Sequence, residues 1–338
     1  MNISNYSVNI EKSISLIKKN KYKNIAIQFP EGLKNNSKEI IEKITNETKS
    51  NVFLFADPCY GACDIPYYSL KKLNIDLLIH IGHTKIPNID EDFFPILYIN
   101  AKSNLDVSKV VKKSIKHLEG KKIGIVTTAQ HINDLKIVKK ILINNKLEPI
   151  LSKGDDRISN CGQILGCNYS SAVNIRNEID SYLYIGTGFF HPVGLALNSK
   201  KPVITADPSS NNVRKKELEI IKNQILKQRF GAITISKKAN NFGILIGLKP
   251  GQIRIDKAIY VKKLLDSSNK NNYFIALDNF SYYNLNSINY IDCFISTSCP
   301  RIAIDDYVMY KKPIITPIEL EIVLNKRDWN DYEFDQIY

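Results

Sequence analysis

The stretch Asn24–Asp64, NIAIQFPEGLKNNSKEIIEKITNETKSNVFLFADPCYGACD, sets the pattern that the rest of the chain repeats. A short apolar run, Asn24 to Phe29, is followed by an amphipathic segment and then by a second apolar run, Val52 to Ala56. Apolar runs of strand length separated by a helical pattern predict a β-α-β unit with buried parallel strands. Working outward, Asp76 to Gly82 and Ile96 to Asn100 supply two further strands. The pattern restarts at Lys121 to Thr127 and continues near Pro149 to Leu151, Tyr182 to Gly186 and Pro202 to Ala206. A third start falls at Phe242 to Gly247, followed by Asn272 to Leu277, Asp292 to Ser296 and Pro313 to Thr316. Helical connectors, Leu105 to Leu118 and Asn212 to Arg229, precede the two restarts. The reading is therefore three similar α/β domains, 1–103, 104–207 and 208–338, related by pattern and not by residue identity. The tail ending RDWNDYEFDQIY carries the only tryptophan and falls outside the third sheet's pattern, so it is expected to pack across a neighbouring domain or subunit.

Composition narrows the class. With 43% hydrophobic and 24% charged residues in 338, the chain matches a globular protein and not a disordered or fibrous one. No apolar run approaches the roughly 18 residues of a membrane span. The N-terminus, MNISNYSVNIEKSISLIKKN, has no apolar signal core, so a cytoplasmic location is expected, with no membrane partner. The net charge of +13 favours acidic partners. Its lysines (Lys18, Lys19, Lys21, Lys23; Lys136, Lys139, Lys140) are spread over helical faces without interleaved aromatics, so no direct nucleic-acid contact is expected.

Six cysteines fall in pairs, Cys59/Cys63, Cys161/Cys167 and Cys293/Cys299, one pair in each predicted domain. In a reducing compartment such thiols point to metal binding or catalysis before disulfides. Cys59 and Cys63 follow the strand Val52 to Ala56, Cys161 and Cys167 follow the strand ending near Leu151 after a loop, and Cys299 follows the strand Asp292 to Ser296, where ligand-binding loops of parallel sheets emerge. The local sequences DPCYGACD, NCGQILGC and TSCPRIAIDD supply glycine or proline for tight turns. A structural zinc knuckle needs closely spaced pairs, which only Cys59 and Cys63 approach, and no C-x-x-C occurs. Nothing in the spacing selects a nucleophile partner among His80, His83 and His191. Ligation of an iron–sulfur cluster by thiolates from separate loops fits better, and three protein thiolates on a four-iron cluster leave one iron open. Spacing alone does not choose between the members of each pair.

Five ordered segments carry a resemblance: QFPEGL (Gln28 to Leu33), DPCYGACD (Asp57 to Asp64), IHIGHT (Ile79 to Thr84), GQILGC (Gly162 to Cys167) and SCPRIAIDD (Ser298 to Asp306). Through them the chain resembles the archaeal 2-(3-amino-3-carboxypropyl)histidine synthase family of diphthamide synthesis. The resemblance implies three α/β domains around a pseudo-threefold axis with one central 4Fe-4S cluster held by Cys63, Cys167 and Cys299. It leaves Cys59, Cys161 and Cys293 as neighbours. It further implies a reaction in which an electron from the reduced cluster cleaves S-adenosylmethionine. The products are methylthioadenosine and a 3-amino-3-carboxypropyl radical, which adds to imidazole C2 of a histidine in translation elongation factor 2. The usual C-x-x-x-C-x-x-C signature of radical S-adenosylmethionine enzymes is absent, as this family requires. A homodimer and a separate electron donor are implied as well.

Candidates to line the cofactor pocket are Gln28, Glu31, Gly32, His80, His83, Gln130, Gly186, Gly188 and Arg301. Each has a structural reading beside the functional one: Glu31 as a helix cap, His83 as a satisfied loop residue, and Arg301 paired with Asp305 in place of a cofactor carboxylate. Competing readings are a quinolinate synthase-like enzyme, whose motifs fit poorly, and a noncatalytic cluster-bearing partner subunit.

Overall fold

Ile25, Ala26 and Ile27 are fully buried, as a strand covered on both faces must be. In the computed structural model, which describes residues 1–89 and 94–338, they form the centre of the first of three parallel sheets. The strands of the first segment are β1 (Asn2–Ile3), β2 (Tyr6–Val8), β3 (Asn24–Gln28), β4 (Asn51–Phe55), β5 (Leu77–Ile81), β6 (Ile96–Ile99) and β7 (Ala101–Ser103). Four of them make a parallel sheet in the order β4-β3-β5-β6. Its order reverses about β3, so the loops after β3, β4 and β5 open at one edge, the crevice where such sheets bind ligands.

The second sheet uses β8 (Lys122–Thr127), β9 (Glu148–Ile150), β10 (Ser181–Ile185), β11 (Val203–Asp207) and β12 (Asn212–Val213), in the order β12-β11-β10-β8-β9. The third uses β13 (Asn241–Gly247), β14 (Asn271–Leu277), β15 (Cys293–Ser296) and β16 (Ile314–Ile315), in the order β14-β13-β15-β16. Each strand expected from the sequence is present. Missed were the three-stranded antiparallel sheet β1-β2-β7 and the antiparallel edge strand β12. Segments of two or three residues are too short for a period to be visible.

Two compact units emerge from the packing. The first comprises Met1–Ile164, Ser170–Gly188 and Pro202–Val213, and holds β1 to β12. Its first sheet is covered on one face by Ile14 and Ile17 of helix Glu11–Asn20 and by Ile40 and Ile44 of helix Ser37–Thr48. The other face packs Ala26 and Leu78 against Ile65, Leu70 and Phe94. The second sheet buries Ile123, Ile125 and Leu183 against Val138 and Leu142 of helix Leu135–Asn144.

The second unit comprises Leu165–Tyr169, Phe189–Lys201 and Arg214–Tyr338. Its helix Lys215–Ser236 carries Arg229 into a site with no solvent exposure, where Nε and Nη2 donate to the Glu319 carboxylate at 2.8 and 2.6 Å. The guanidinium also donates to the Ile314 carbonyl at 2.7 Å, and Tyr332 donates to Glu319 at 3.2 Å. Glu319 closes a capping box with Thr316 at the start of helix Pro317–Val323. One carboxylate thus joins helix start, long helix and tail.

The tail belongs to this unit. Arg254 pairs with Asp335 at 2.7 Å, the Ile337 N–H donates to the Cys167 carbonyl at 2.9 Å, and Phe334 meets Tyr169 edge-on. It packs on the loop of Cys167.

Candidate metal centre

In the first unit Gln28, Glu31, Gly32, His80 and His83 lie at or just after the carboxyl ends of β3 and β5, while Gln130 follows β8 and Gly186 and Gly188 follow β10. Gln28 ends β3 in register with His80 of β5. Its Nε2 donates to the Asp64 carbonyl at 2.9 Å, and its Oε1 lies 3.0 Å from His80 Nδ1. His80 Nε2 lies 2.9 Å from His83 Nδ1. A backbone carbonyl only accepts, so it fixes the Gln28 amide, and the amide oxygen then fixes the proton of His80 on Nδ1. His80 Nε2 is left as an acceptor for His83 Nδ1–H. Burial drives His80 well below the ordinary imidazole range, with His83 adding to the effect, and lowers His83 to about 4. Both rings are neutral near pH 7.

The DPCYGACD loop lies beside this chain. Cys59 is buried; its thiol points to the Gly61 carbonyl, and burial, reinforced by the Asp64 carboxylate, pushes it up to about 12. Cys63 is partly exposed. Lys34 reaches over to donate to the carbonyls of Ala56 and Asp57 and also pairs with Glu31. Glu31 therefore does not cap a helix: Pro30 holds the cap position and the exposed carboxylate goes to Lys34. Gln130 donates to the Gly82 carbonyl at 3.0 Å, fixing the turn of the IHIGHT loop. Gly82 itself sits at φ +91, where a side chain would also press on Pro30. Gly32 has open space around it. Gly188 has φ +70 and also faces open space, whereas a side chain at Gly186 would strike Tyr184. Cys161 is exposed on the same unit.

In the second unit Cys167 and Cys299 are both partly exposed, and both act electrostatically on the buried Tyr169 hydroxyl, as do Arg301 and Asp305. Gly166, just before Cys167, allows the Phe190 ring to approach; a Cβ there would overlap it. The Arg301 guanidinium lies 3.8 Å from the centroid of Phe190 and donates from Nη2 to Asp305 at 2.7 Å. Its Nη1 is buried with no hydrogen-bond partner among the described residues. An orphaned guanidinium N–H is costly unless something else accepts from it. Cys293 is different: it lies inside β15, buried, 3.2 Å from Ser236 Oγ.

The donor chemistry fits an iron–sulfur cluster. Cys63, Cys167 and Cys299 are partly exposed on loops and Cys161 is exposed, while Cys59 and Cys293 are enclosed by protein atoms. Sequence reasoning missed Tyr169, Phe190 and the tail residues Phe334 and Gln336, of which only Phe190 lies in a stretch already singled out, GTGFFHP at Gly186 to Pro192. The position of Tyr169, two residues after Cys167, was a second hint. No helix among the described residues is long and apolar enough to cross a membrane.

Comparison with known proteins identifies the family. The family model for diphthamide synthesis proteins matches residues 29–334. The chain is 35% identical to the 2-(3-amino-3-carboxypropyl)histidine synthase of Pyrococcus horikoshii, covering 93% of this chain and 89% of that protein. The enzyme of the same name from Methanocaldococcus jannaschii is 34% identical, with 96% and 91% covered. The crystal structure of Dph2 from Pyrococcus horikoshii with a 4Fe-4S cluster superposes with a TM-score of 0.89 at 32% identity, covering 98% of this chain and 94% of that one. The chain belongs to the diphthamide synthesis family.

Proposed function

We propose that this protein transfers the 3-amino-3-carboxypropyl group of S-adenosylmethionine to imidazole C2 of a histidine in translation elongation factor 2, the first step of diphthamide synthesis. The observation that carries the reading is the match, over nine-tenths of the chain, to relatives named for that transfer. Cys63, Cys167 and Cys299 are the proposed ligands of a 4Fe-4S cluster, one from each of the proposed domains 1–103, 104–207 and 208–338. When bound, the cluster would supply the electron that cleaves the γ-carbon–sulfur bond of the sulfonium.

The chain's own residues then act by binding and positioning. Arg301, stacked on Phe190 and tied to Asp305, keeps Nη1 available for the methionine carboxylate. Tyr169 is held by the Gly166 carbonyl and, through its own N–H, by Gln336, which steadies the Cys167 loop. Glu31, Gly32, His83, Gly186 and Gly188 complete the proposed pocket. Gln28 and Gln130 act on it indirectly, by fixing His80 and the Gly82 turn. Elongation factor 2 as protein substrate, a homodimer and a separate electron donor in the cytoplasm complete the proposal.

The test is anaerobic reconstitution, reduction with dithionite, and addition of S-adenosylmethionine with elongation factor 2. Methylthioadenosine and a modified histidine are expected; 5′-deoxyadenosine, or no turnover with a well-formed cluster, overturns the reading. Iron content in single Cys→Ala variants tests the ligands. It should fall at Cys63, Cys167 and Cys299 and hold at the other three.

A further inference from the structure

Cys59, His80 and His83 each offer one ligand-type atom, and these atoms lie within 4.8 Å of one another in the first unit. We propose that they form a separate metal site, taking one Zn²⁺ through Cys59 Sγ, His80 Nε2 and His83 Nδ1 and leaving the fourth position open to water or another donor. None of the three is among the proposed cluster ligands; His83 also belongs to the proposed pocket, and a metal titration reads this site without the transfer reaction.

Four observations carry it. First, the tautomer is prepared: His80 Nδ1–H is committed to Gln28 Oε1, and Gln28 is itself held by the Asp64 carbonyl, so Nε2 presents its lone pair. An imidazole whose second nitrogen donates to a fixed carbonyl is the arrangement that orients metal-bound histidines. Second, the donor set is one thiol and two imidazoles, which suits a borderline ion such as zinc and not a hard oxygen-seeking one. Three protein ligands with one open position are the pattern of non-structural zinc sites.

Third, the charges balance. Zn²⁺ with one thiolate and two neutral rings carries one positive charge, and the buried Asp64 carboxylate beside Cys59 carries the opposite one. The field that disfavours a bare Cys59 thiolate favours a cation at the same point. Lys34 and Cys63 are the other charged or ionisable groups that act on Cys59. Fourth, the two ring nitrogens stand near the separation required, and Cys59 Sγ, within 4.8 Å of both, has to close by up to about an ångström. The two ring nitrogens stand 2.9 Å apart, and a tetrahedral ion with Zn–N of about 2.0 Å separates them by about 3.3 Å. The rings need only part by a few tenths of an ångström. On binding, the Cys59 thiol proton passes to solvent, and the proton on His83 Nδ1 is replaced by one at its Nε2; no electron moves.

The experiment uses the full-length chain with Cys63→Ser, Cys167→Ser and Cys299→Ser, stripped of metal and titrated anaerobically with Co²⁺, then with Zn²⁺. Expected are one Co²⁺ per chain, the visible bands of a four-coordinate ion, and the near-ultraviolet charge-transfer band of a single thiolate, all displaced by equimolar Zn²⁺. Adding Cys59→Ser should abolish the charge-transfer band. His80→Gln or His83→Gln should weaken binding at least tenfold, and Gln28→Leu, which leaves every ligand atom in place, by 10- to 100-fold. Circular dichroism follows folding throughout, and if a ligand variant unfolds, the thiolate band in the parent and the Gln28→Leu effect decide. A titration without the thiolate band, or one unchanged by both Cys59→Ser and Gln28→Leu, overturns the proposal.

Discussion

Arg301 is the residue on which substrate recognition can be tested most directly. Its buried Nη1 has no protein acceptor among the described residues, which is the basis for proposing it as the contact to the methionine carboxylate. Arg301→Lys keeps the charge but loses the fork and the stacking on Phe190. Steady-state kinetics should show KM for S-adenosylmethionine raised roughly 10- to 100-fold, in line with about 1.4 to 3 kcal/mol for a charge-assisted pair. An unchanged KM would remove Arg301 from the pocket. The His80–His83 pair gives a second prediction, with a definite sign. Both folded-state values lie below the unfolded one, so the unfolded chain binds more protons as pH falls. The pair's contribution is present above about 6.5 and is lost as pH drops toward about 4. Urea midpoints should fall between pH 7 and pH 4.5, and His83→Gln should flatten that slope.

Among the elements, helix Lys215–Ser236 and helix Pro317–Val323 are joined by the Arg229–Glu319 pair, whose side chains have no exposure. Removing one partner leaves a buried charge, so Glu319→Ala should cost about 3 to 5 kcal/mol in chemical denaturation, while Arg229→Met with Glu319→Leu should recover much of the loss. If the double variant is as unstable as the single one, packing and not charge sets the cost. Half of this feature could be read in the sequence. Thr316-x-x-Glu319 is a capping-box pattern, but that its glutamate also faces an arginine 90 residues earlier cannot be seen without the fold. At Gly166 the constraint is steric. Gly166→Ala drives a methyl into Phe190 and should lower iron per chain by moving the Cys167 loop, with the melting temperature reporting any wider damage. The strands were legible because each is a buried run bounded by turn residues. The antiparallel sheet β1-β2-β7 was not, because its strands are two or three residues long and its outer members are almost a hundred residues apart.

For the molecule as a whole, a charge of +13 predicts a rate effect in place of a fold effect. If encounter with an acidic protein substrate is steered by charge, kcat/KM for that substrate should fall steeply as salt rises from 50 to 300 mM, while cleavage of S-adenosylmethionine alone changes little. Equal salt dependence in both assays would dismiss steering. The candidate site was legible to the extent that chemistry sits in motifs: the cysteines, Gln28, His83 and Arg301 stood out, whereas Tyr169, Phe190 and the tail contacts depend on tertiary proximity alone. The sheet β1-β2-β7 has a further consequence for the order of assembly. Strand β2, at residues 6–8, hydrogen-bonds to β7, at residues 101–103, so a loop of more than ninety residues must close before this sheet exists. During synthesis the earliest strand waits, unpaired on that edge, until all four strands of the first parallel sheet have left the ribosome. The hairpin is the last part of its segment to lock, and native-state hydrogen exchange should find its amides among the first to open.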